Sequence, residues 1–339
     1  MIGLVGEHPE FKNVLVIHFG QLGDVVLGLP ALAAIRAHLS GSKITLLVGK
    51  ATEEIVRLAN AADEYISVDR VELRDGGKLG SVGKIFGLIK EVRRRRFDLV
   101  IDLHSLPETN LLGRLARIPN RLFANRESRS LDLLSNFRPP PIAEDKSKHL
   151  TERYFDVIRP LGISTPSANF ELTPNKADVD WVGEKFAVLA TAGGGPRVGL
   201  FPGAGNPSRC WPLSSFARLA QELIEAGANP IVFLGPEEKA LRPKIESLLP
   251  TGITIIDELT IPQFIAAVHR LSVFVANDTG PIHLAAIAGV RIVLILDQRA
   301  PKTYLPNSKE MTIVGDKLID EIDVSDVLVA VLERASKDV

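Results

Sequence analysis

Val273-Phe274-Val275-Ala276 runs directly into Asn277-Asp278-Thr279-Gly280-Pro281, and the apolar Ile282 to Ala286 follow without a spacer. A β-branched, apolar run that stops at a polar corner and resumes as an apolar helix reads as a buried strand feeding its crossover helix. Asp278 and Thr279 are both suited to cap that helix. Gly280 lets a ligand approach the backbone. Pro281 fits the first turn, where its missing N–H is not needed. A helix N-terminus at the carboxyl end of a strand is an anion site, with N–H groups and a dipole favouring negative charge. Because Pro281 removes one donor, the predicted donors are Thr279, Gly280 and Ile282. A second corner of this kind, Gly20-Gln21-Leu22-Gly23-Asp24, lies near the N-terminus. Two such corners predict two nucleotide-fold halves facing one cleft.

The rest of the chain keeps the same rhythm. Val14–Ile17, Ile44–Val48, Leu99–Leu103, Val198–Phe201, Ile231–Leu234 and Ile292–Leu296 are the predicted strands. Val25, Leu32, Ile35 and Leu39 repeat at helical spacing, with Gly41 as the stop; Phe216, Leu219, Ala220 and Leu223 mark another helix, closed by Gly227. Thr260-Ile261-Pro262-Gln263 is a capping box opening a helix through Val268. Asp178–Ala192 and Asp323–Ser336 are also read as helices, and Pro139-Pro140-Pro141 as extended. The βαβ alternation implies parallel sheets covered on both faces. The domain boundary is placed between Gly162 and Arg197, where Pro166, Pro174 and Gly193-Gly194-Gly195-Pro196 fall. The predicted division is 1–175, 176–322 and a terminal helix over 323–339.

Bulk properties remove several classes of function. The 339 residues carry a formal net charge of −1, so nucleic acid is not an expected partner. Cys210 is the lone cysteine, which rules out a disulfide within the chain and a zinc-type cysteine cluster. Met1–Glu10 has no basic segment of the signal-peptide kind, and the longest apolar stretch, about Pro281–Leu296, is broken by His283 and Arg291. The expectation is a cytoplasmic protein.

Four places carry candidate chemistry. Asp24 is either an N-cap in a structural turn or a general base, ionised at neutral pH from a reference pKa of about 3.9. Phe201-Pro202-Gly203-Ala204-Gly205 leads to Arg209 and Trp211-Pro212; Gly203 and Gly205 would admit a phosphate that Arg209 neutralises, or the loop is flexible with a solvated Arg. Glu238, after Gly235-Pro236-Glu237, reaches a ribose hydroxyl or caps its own turn. His283, on an apolar helix, reads first as structural. Neither glycine-rich corner completes GxGxxG, which disfavours a nicotinamide oxidoreductase. Arg93–Arg96, following Ile85, Leu88, Ile89 and Val92, form a basic amphipathic helix. It is read either as a solvated surface or as an electrostatic contact with an anionic membrane or acceptor lipid.

Taken in order, these pieces resemble glycosyltransferase family 9, the ADP-heptose:lipopolysaccharide heptosyltransferases. The matching segments are Val14–Val25 with Leu29-Pro30-Ala31-Leu32, Leu99–Leu103, Pro202-Gly203 with Trp211-Pro212, Gly235–Glu238, and Asn277–Leu284. The resemblance implies the GT-B fold: two Rossmann-like α/β domains with parallel sheets facing a central cleft, acceptor on the first and donor on the second. The terminal helix of such folds crosses back to the first domain. It implies inverting transfer from a nucleotide-diphospho-sugar, ADP-heptose, to a lipopolysaccharide-core or related glycan or glycolipid acceptor at the cytoplasmic face of the inner membrane. Asp24 matches the base and Arg209 the cation that steadies the departing diphosphate. Gly203, Gly205, Glu238, Asp278, Thr279, Gly280 and His283 match the donor side, and Gly23 and His104 the acceptor side. No metal and no cofactor are implied, because Arg209 and a helix dipole take that place. Arg209 stands where relatives often have Lys. Leu103–Glu108 and Asp297-Gln298-Arg299 also depart from the family pattern. The rival expectations are a non-hydrolysing UDP-sugar epimerase on the same fold and a non-catalytic glycan- or lipid-binding relative.

Overall fold

The structure is a computed structural model and describes residues 10–69, 78–127, 129–164, 171–189 and 194–336. Met1–Pro9, Pro166, Gly193 and the predicted helical residues Ala190–Ala192 lie outside the described residues. The chain forms two compact units, residues 1–169 and 170–339.

The first unit is built on a five-stranded parallel sheet of order β3-β2-β1-β4-β5. Its strands are β1 (Asn13–His18), β2 (Lys43–Gly49), β3 (Glu64–Val68), β4 (Leu99–Asp102) and β5 (Asn120–Phe123). In β1, Val14 to Ile17 are at most 1% exposed, because a central parallel strand is covered on both faces. Asp98 fixes where β1 starts, its carboxylate accepting from the Lys12 and Asn13 N–H groups. The helices are α1 (Leu22–His38), α2 (Glu53–Leu58), α3 (Lys78–Arg95), α4 (Pro107–Leu115) and α5 (Leu150–Ile158). Helix α1 closes at Leu39 rather than at Gly41, because the Ser42 N–H donates to the Leu39 carbonyl and turns the chain early. Helices α3 and α4 pack Val92, Leu112 and Ala116 against Leu15 and Ile17 on one face of the sheet. Helices α1 and α5 pack together away from that cluster.

The second unit repeats the plan with one more strand, in the order β8-β7-β6-β9-β10-β11. These are β6 (Arg197–Phe201), β7 (Asn229–Phe233), β8 (Thr254–Ile256), β9 (Val273–Asn277), β10 (Ile292–Ile295) and β11 (Met311–Val314), all parallel. Its helices are α6 (Lys176–Leu189), α7 (Leu213–Glu225), α8 (Arg242–Leu248), α9 (Ile261–Val268), α10 (Gly280–Ile287) and α11 (Val324–Ala335). The predicted capping box is present: Thr260 Oγ1 accepts from the Gln263 N–H at 3.3 Å, and Gln263 Oε1 from the Thr260 N–H at 3.1 Å. Gly227 closes α7 in the left-handed conformation, φ +81°. The terminal helix α11 buries Val327 and Val331 in this unit's own core, with Trp211, Leu219 and Val293.

Both sheets therefore have the doubly wound order, reversing direction between β1 and β4 in the first unit and between β6 and β9 in the second. In such sheets ligands bind beyond the carboxyl ends of the strands at the reversal.

Candidate active site

At the first reversal, β1 ends in His18 and β4 in Asp102, both wholly buried. His18 Nδ1 accepts the Gly20 N–H at 3.2 Å, which fixes the neutral ring with its proton on Nε2. Burial is the main reason its pKa falls to about 3, with the neighbouring His104 and Arg126 acting in the same direction. Gly28 makes room for the ring, since a Cβ there would lie 2.6 Å from His18 Nε2. Gly20 is equally constrained: a Cβ would sit 2.5 Å from Asp24 Cβ and 2.8 Å from His18 Cε1. The turn before α1 therefore admits only glycine at Gly20.

Asp24 lies in the first turn of α1, half-buried, and its Oδ2 accepts the Gln21 N–H at 3.2 Å. Burial pushes its pKa up, while the Gln21 N–H and the Arg126 and Arg153 guanidiniums pull it back. Asp24 is not the N-cap, which is Gln21; it is the third residue of the helix and closes a capping box by accepting the Gln21 N–H, with Arg126 and Arg153 nearby. Gly23 lies next to it, also half-buried. Arg126 and Arg153 share Glu144, at 3.3 and 3.2 Å, and the Arg153 side chain is only 4% exposed. Arg126 Nη1 also donates to the His104 carbonyl at 2.5 Å. The two guanidiniums, bridged by Glu144, both act on the Asp24 carboxylate.

Asp102 organises the loop that carries His104. It accepts from the Ser105 N–H (2.7 Å), Thr109 Oγ1 (2.5 Å) and Asn110 Nδ2 (2.9 Å). Burial outweighs these bonds and a fourth from the His104 backbone, and raises its pKa to about 7. Ser105 is held at φ +46°, and its hydroxyl bridges the Asp102 carbonyl and the Ala124 N–H.

At the second reversal, Asn277 ends β9 and is wholly buried. Its Oδ1 accepts the Trp211 N–H at 2.9 Å, and its Nδ2 donates to the Pro202 and Gly203 carbonyls at 3.1 and 3.3 Å. Trp211 in turn donates from Nε1 to the Ile322 carbonyl at 2.9 Å. One amide thus locks the loop after β6 to the corner after β9. Thr279 is the N-cap residue of α10, and Pro281 falls in the first turn as predicted. Of the three predicted donors, Ile282 turns its N–H to the Thr279 carbonyl at 3.3 Å, which leaves Thr279 and Gly280. Asp278 does not cap the helix. It pairs with Arg209 Nη1 at 3.0 Å, and burial raises its pKa against the lowering effect of Arg209. Arg209 ends a short 3-10 turn, Pro207–Arg209, capped by Asn206.

Glu238 is 6% exposed and accepts the Gly235 N–H through Oε2 at 3.0 Å. Its Oε1 lies 2.0 Å from where a Cβ on Gly203 would be, so Gly203 is small because Glu238 packs on it. Burial, chiefly, raises the Glu238 pKa. Gly205 is exposed, and His283 is buried in the first turn of α10. The structure therefore groups Arg209 with Asp278, Thr279 and Gly280, and Glu238 with Gly203, within the second unit. Gly23, Asp24 and His104 belong to the first.

Sequence reasoning missed Arg126, Arg153, Glu144, Asp102 and the bridging role of Asn277. A signal for Arg153 was present: Leu150, Tyr154 and Val157 form the apolar stripe of α5, and Arg153 falls on that stripe at helical spacing.

Two doubly wound parallel sheets, each with charged and small residues at its reversal, are the arrangement of the two-domain GT-B fold. The sequence model for glycosyltransferase family 9 (heptosyltransferase) matches residues 85–326, and the chain belongs to that family. Lipopolysaccharide heptosyltransferase 3 of Escherichia coli is 21% identical over 301 residues, covering 85% of this chain and 84% of that protein. The crystal structure of a family 9 glycosyltransferase from Veillonella parvula superposes with a TM-score of 0.82 at 21% identity, covering 96% of this chain and 97% of the other. The E. coli heptosyltransferase WaaC, solved with ADP, gives 0.75 at 17% identity, covering 95% and 100%. The family match supports a transferase over an epimerase. No helix among the described residues is long and apolar enough to cross a membrane.

Proposed function

We propose that this chain is an inverting heptosyltransferase that uses ADP-heptose and glycosylates a lipopolysaccharide-core or related acceptor at the cytoplasmic face of the inner membrane. The observation that carries the donor class is the open N-terminus of α10. Thr279 and Gly280 present N–H groups there, and Arg209 is held 3.0 Å from Asp278 beside them. A diphosphate suits that combination of helix dipole, N–H donors and guanidinium. Arg209 then exchanges part of its pairing with Asp278 for the diphosphate, and Asp278 turns to the donor sugar. Glu238, buried beside Gly203, accepts from a ribose hydroxyl.

On the acceptor side Asp24 takes the proton from the attacking hydroxyl. The acceptor oxygen bonds to the anomeric carbon on the face opposite the leaving group. The bond from that carbon to the diphosphate oxygen breaks, and ADP departs with the electron pair and inverted configuration in the product. The raised pKa of Asp24 suits a base that must hold a proton briefly at neutral pH. Gly23 and His104 line the same corner. Arg209 and the α10 dipole supply the positive charge at the leaving group, so turnover is expected to persist in EDTA.

The test is a thermal-shift series with ADP, UDP, GDP and CDP, followed by transfer from ADP-heptose to deacylated core acceptor with and without EDTA. A ligand at about 100 times its Kd stabilises the fold by about 2.7 kcal/mol. Selective stabilisation by ADP and EDTA-resistant transfer are expected. Selective stabilisation by UDP, or transfer abolished by EDTA, overturns the donor or the metal-free assignment respectively.

A further inference from the structure

Helix α3 buries one side and leaves the other with an unusual surface. Val92 is fully buried and Leu88 and Ile89 pack beside it on the sheet. The opposite stripe, at i, i+4, i+7 and i+8, is Phe86, Lys90, Arg93 and Arg94. Phe86 is 67% exposed and its neighbour Ile85 46%. A solvated surface helix does not place a phenyl ring at the centre of its polar face. The one acidic side chain on this part of the helix, Glu91, is taken by Arg95 at 2.7 Å, and Arg95 also binds Glu64 at 2.7 Å. No described carboxylate pairs with Lys90, Arg93 or Arg94, so their charge is presented outward uncompensated.

The neighbouring helix extends the same surface. Leu112 of α4 and Ala116, which ends it, share the core cluster of Val92, so α3 and α4 cover the same face of the sheet. The outward residues of α4 are Leu111 and Leu115, 44% and 46% exposed, and Leu133 beside them is 80% exposed. Five of the twelve large apolar side chains exposed among the described residues thus fall on this one side, which is a concentration rather than scatter.

We propose that the outer face of α3, with Phe86 entering the interfacial layer and Lys90, Arg93 and Arg94 meeting headgroups, docks the first unit on an anionic phospholipid bilayer. This deepens the proposed function by naming the surface that brings the enzyme to a lipid-anchored acceptor, and it rests on that reading for its purpose only. Charge complementarity favours lipid over an acidic protein groove. Cations flanking a projecting aromatic, with no carboxylate among them, match a headgroup layer over an acyl boundary.

The test is co-sedimentation of the whole chain with vesicles of phosphatidylcholine alone or mixed equally with phosphatidylglycerol. Binding to the anionic vesicles at low salt, lost in high salt and weak on phosphatidylcholine, is expected. The double variant R93E/R94E should weaken that binding by about 30-fold or more, from the energy of each cation at an anionic surface. Phe86→Ser should weaken it by about tenfold from the lost apolar burial. Arg218→Glu, on the second unit, should bind as the wild type does. All four proteins should turn over a soluble, delipidated acceptor equally. Failure of the wild type to sediment with anionic vesicles, or unchanged binding by R93E/R94E and Phe86→Ser, overturns the docking surface. Vesicle binding needs neither donor nor acceptor, so it stands if the proposed donor is wrong; failed transfer with intact vesicle binding would count against the proposed reaction alone.

Discussion

The corner after β1 and the corner after β9 are built from the same elements and handle their carboxylates in opposite ways. Asp24 lies inside the first turn of α1 and spends one oxygen on the Gln21 N–H. That helix start already holds an anion of its own, so it is poor at receiving another. Asp278 lies before the first turn of α10 and turns to Arg209 instead, leaving Thr279 and Gly280 open. A carboxylate moved a few residues along a strand–helix corner thus decides whether the helix start is filled from within or left open. The surroundings agree. Arg126 and Arg153 neutralise the first corner from within the unit, whereas Arg209, with its side chain 46% exposed, is available to a ligand at the second.

The largest effect expected from breaking this contrast is at Asp24. Asp24→Asn keeps an oxygen for the Gln21 N–H but cannot take a proton, and kcat should fall by about 10³-fold. ADP affinity, carried by the other corner, should not change. Asp24→Ala should fall as far in kcat and also lose about 1 kcal/mol of stability with the cap. Asp278→Asn should lose only about tenfold, the scale of one charge-assisted hydrogen bond. Steady-state kinetics beside nucleotide titration separates these; parallel loss of kcat and ADP affinity in Asp24→Asn would remove the base assignment.

The next effect concerns what holds each corner in place. Asp102 gathers its partners locally, from Ser105, Thr109 and Asn110, whereas Asn277 reaches Pro202, Gly203 and Trp211. Asn277→Ala orphans the buried Trp211 N–H and removes the donor to two carbonyls. It should cost about 3 kcal/mol in urea unfolding. It should also weaken ADP binding, because the loop of Gly203 and Arg209 loses its tie to β9. Full ADP affinity in a destabilised Asn277→Ala would show that the loop keeps its shape unaided.

The sequence made the central strands and both corners legible, since β1, β4, β6, β7, β9 and β10 are apolar runs that meet glycine or an acid at, or within two residues of, their ends. The short flanking strand β8 was not, with three half-buried residues carrying little pattern. Helix α4 was also missed, because Thr109, Asn110 and Gly113 face its buried side and break the apolar period. In the site, Arg209 and Asp278 were identified separately, 69 residues apart, and the ion pair between them was not. Pairings of that range depend on sheet order, which strand composition does not encode. Buried polar residues such as Asp102 and Arg153 were missed for a related reason. Hydropathy places them outside, and only their partners allow them in.

The smallest effect sharpens the comparison at the strand ends themselves. β1 ends in His18 where β6 ends in Phe201, and both rings are buried. Only the imidazole can titrate. Its pKa is about 3 in the fold against 6.5 for the ordinary group, chiefly through burial. Between those values the unfolded chain binds a proton that the folded chain refuses. The stability due to neutral His18 is therefore complete above pH 6.5 and is lost as pH falls towards 3, by up to about 1.4 kcal/mol per unit. His18→Gln cannot titrate. The stability difference between wild type and His18→Gln should shift by about 2 kcal/mol against the wild type from pH 7 to pH 5, measured by urea unfolding at each pH. A pH-independent difference would mean that the His18 ring accepts its proton in the folded state, and the first strand end would then be charged in acid where the second is not.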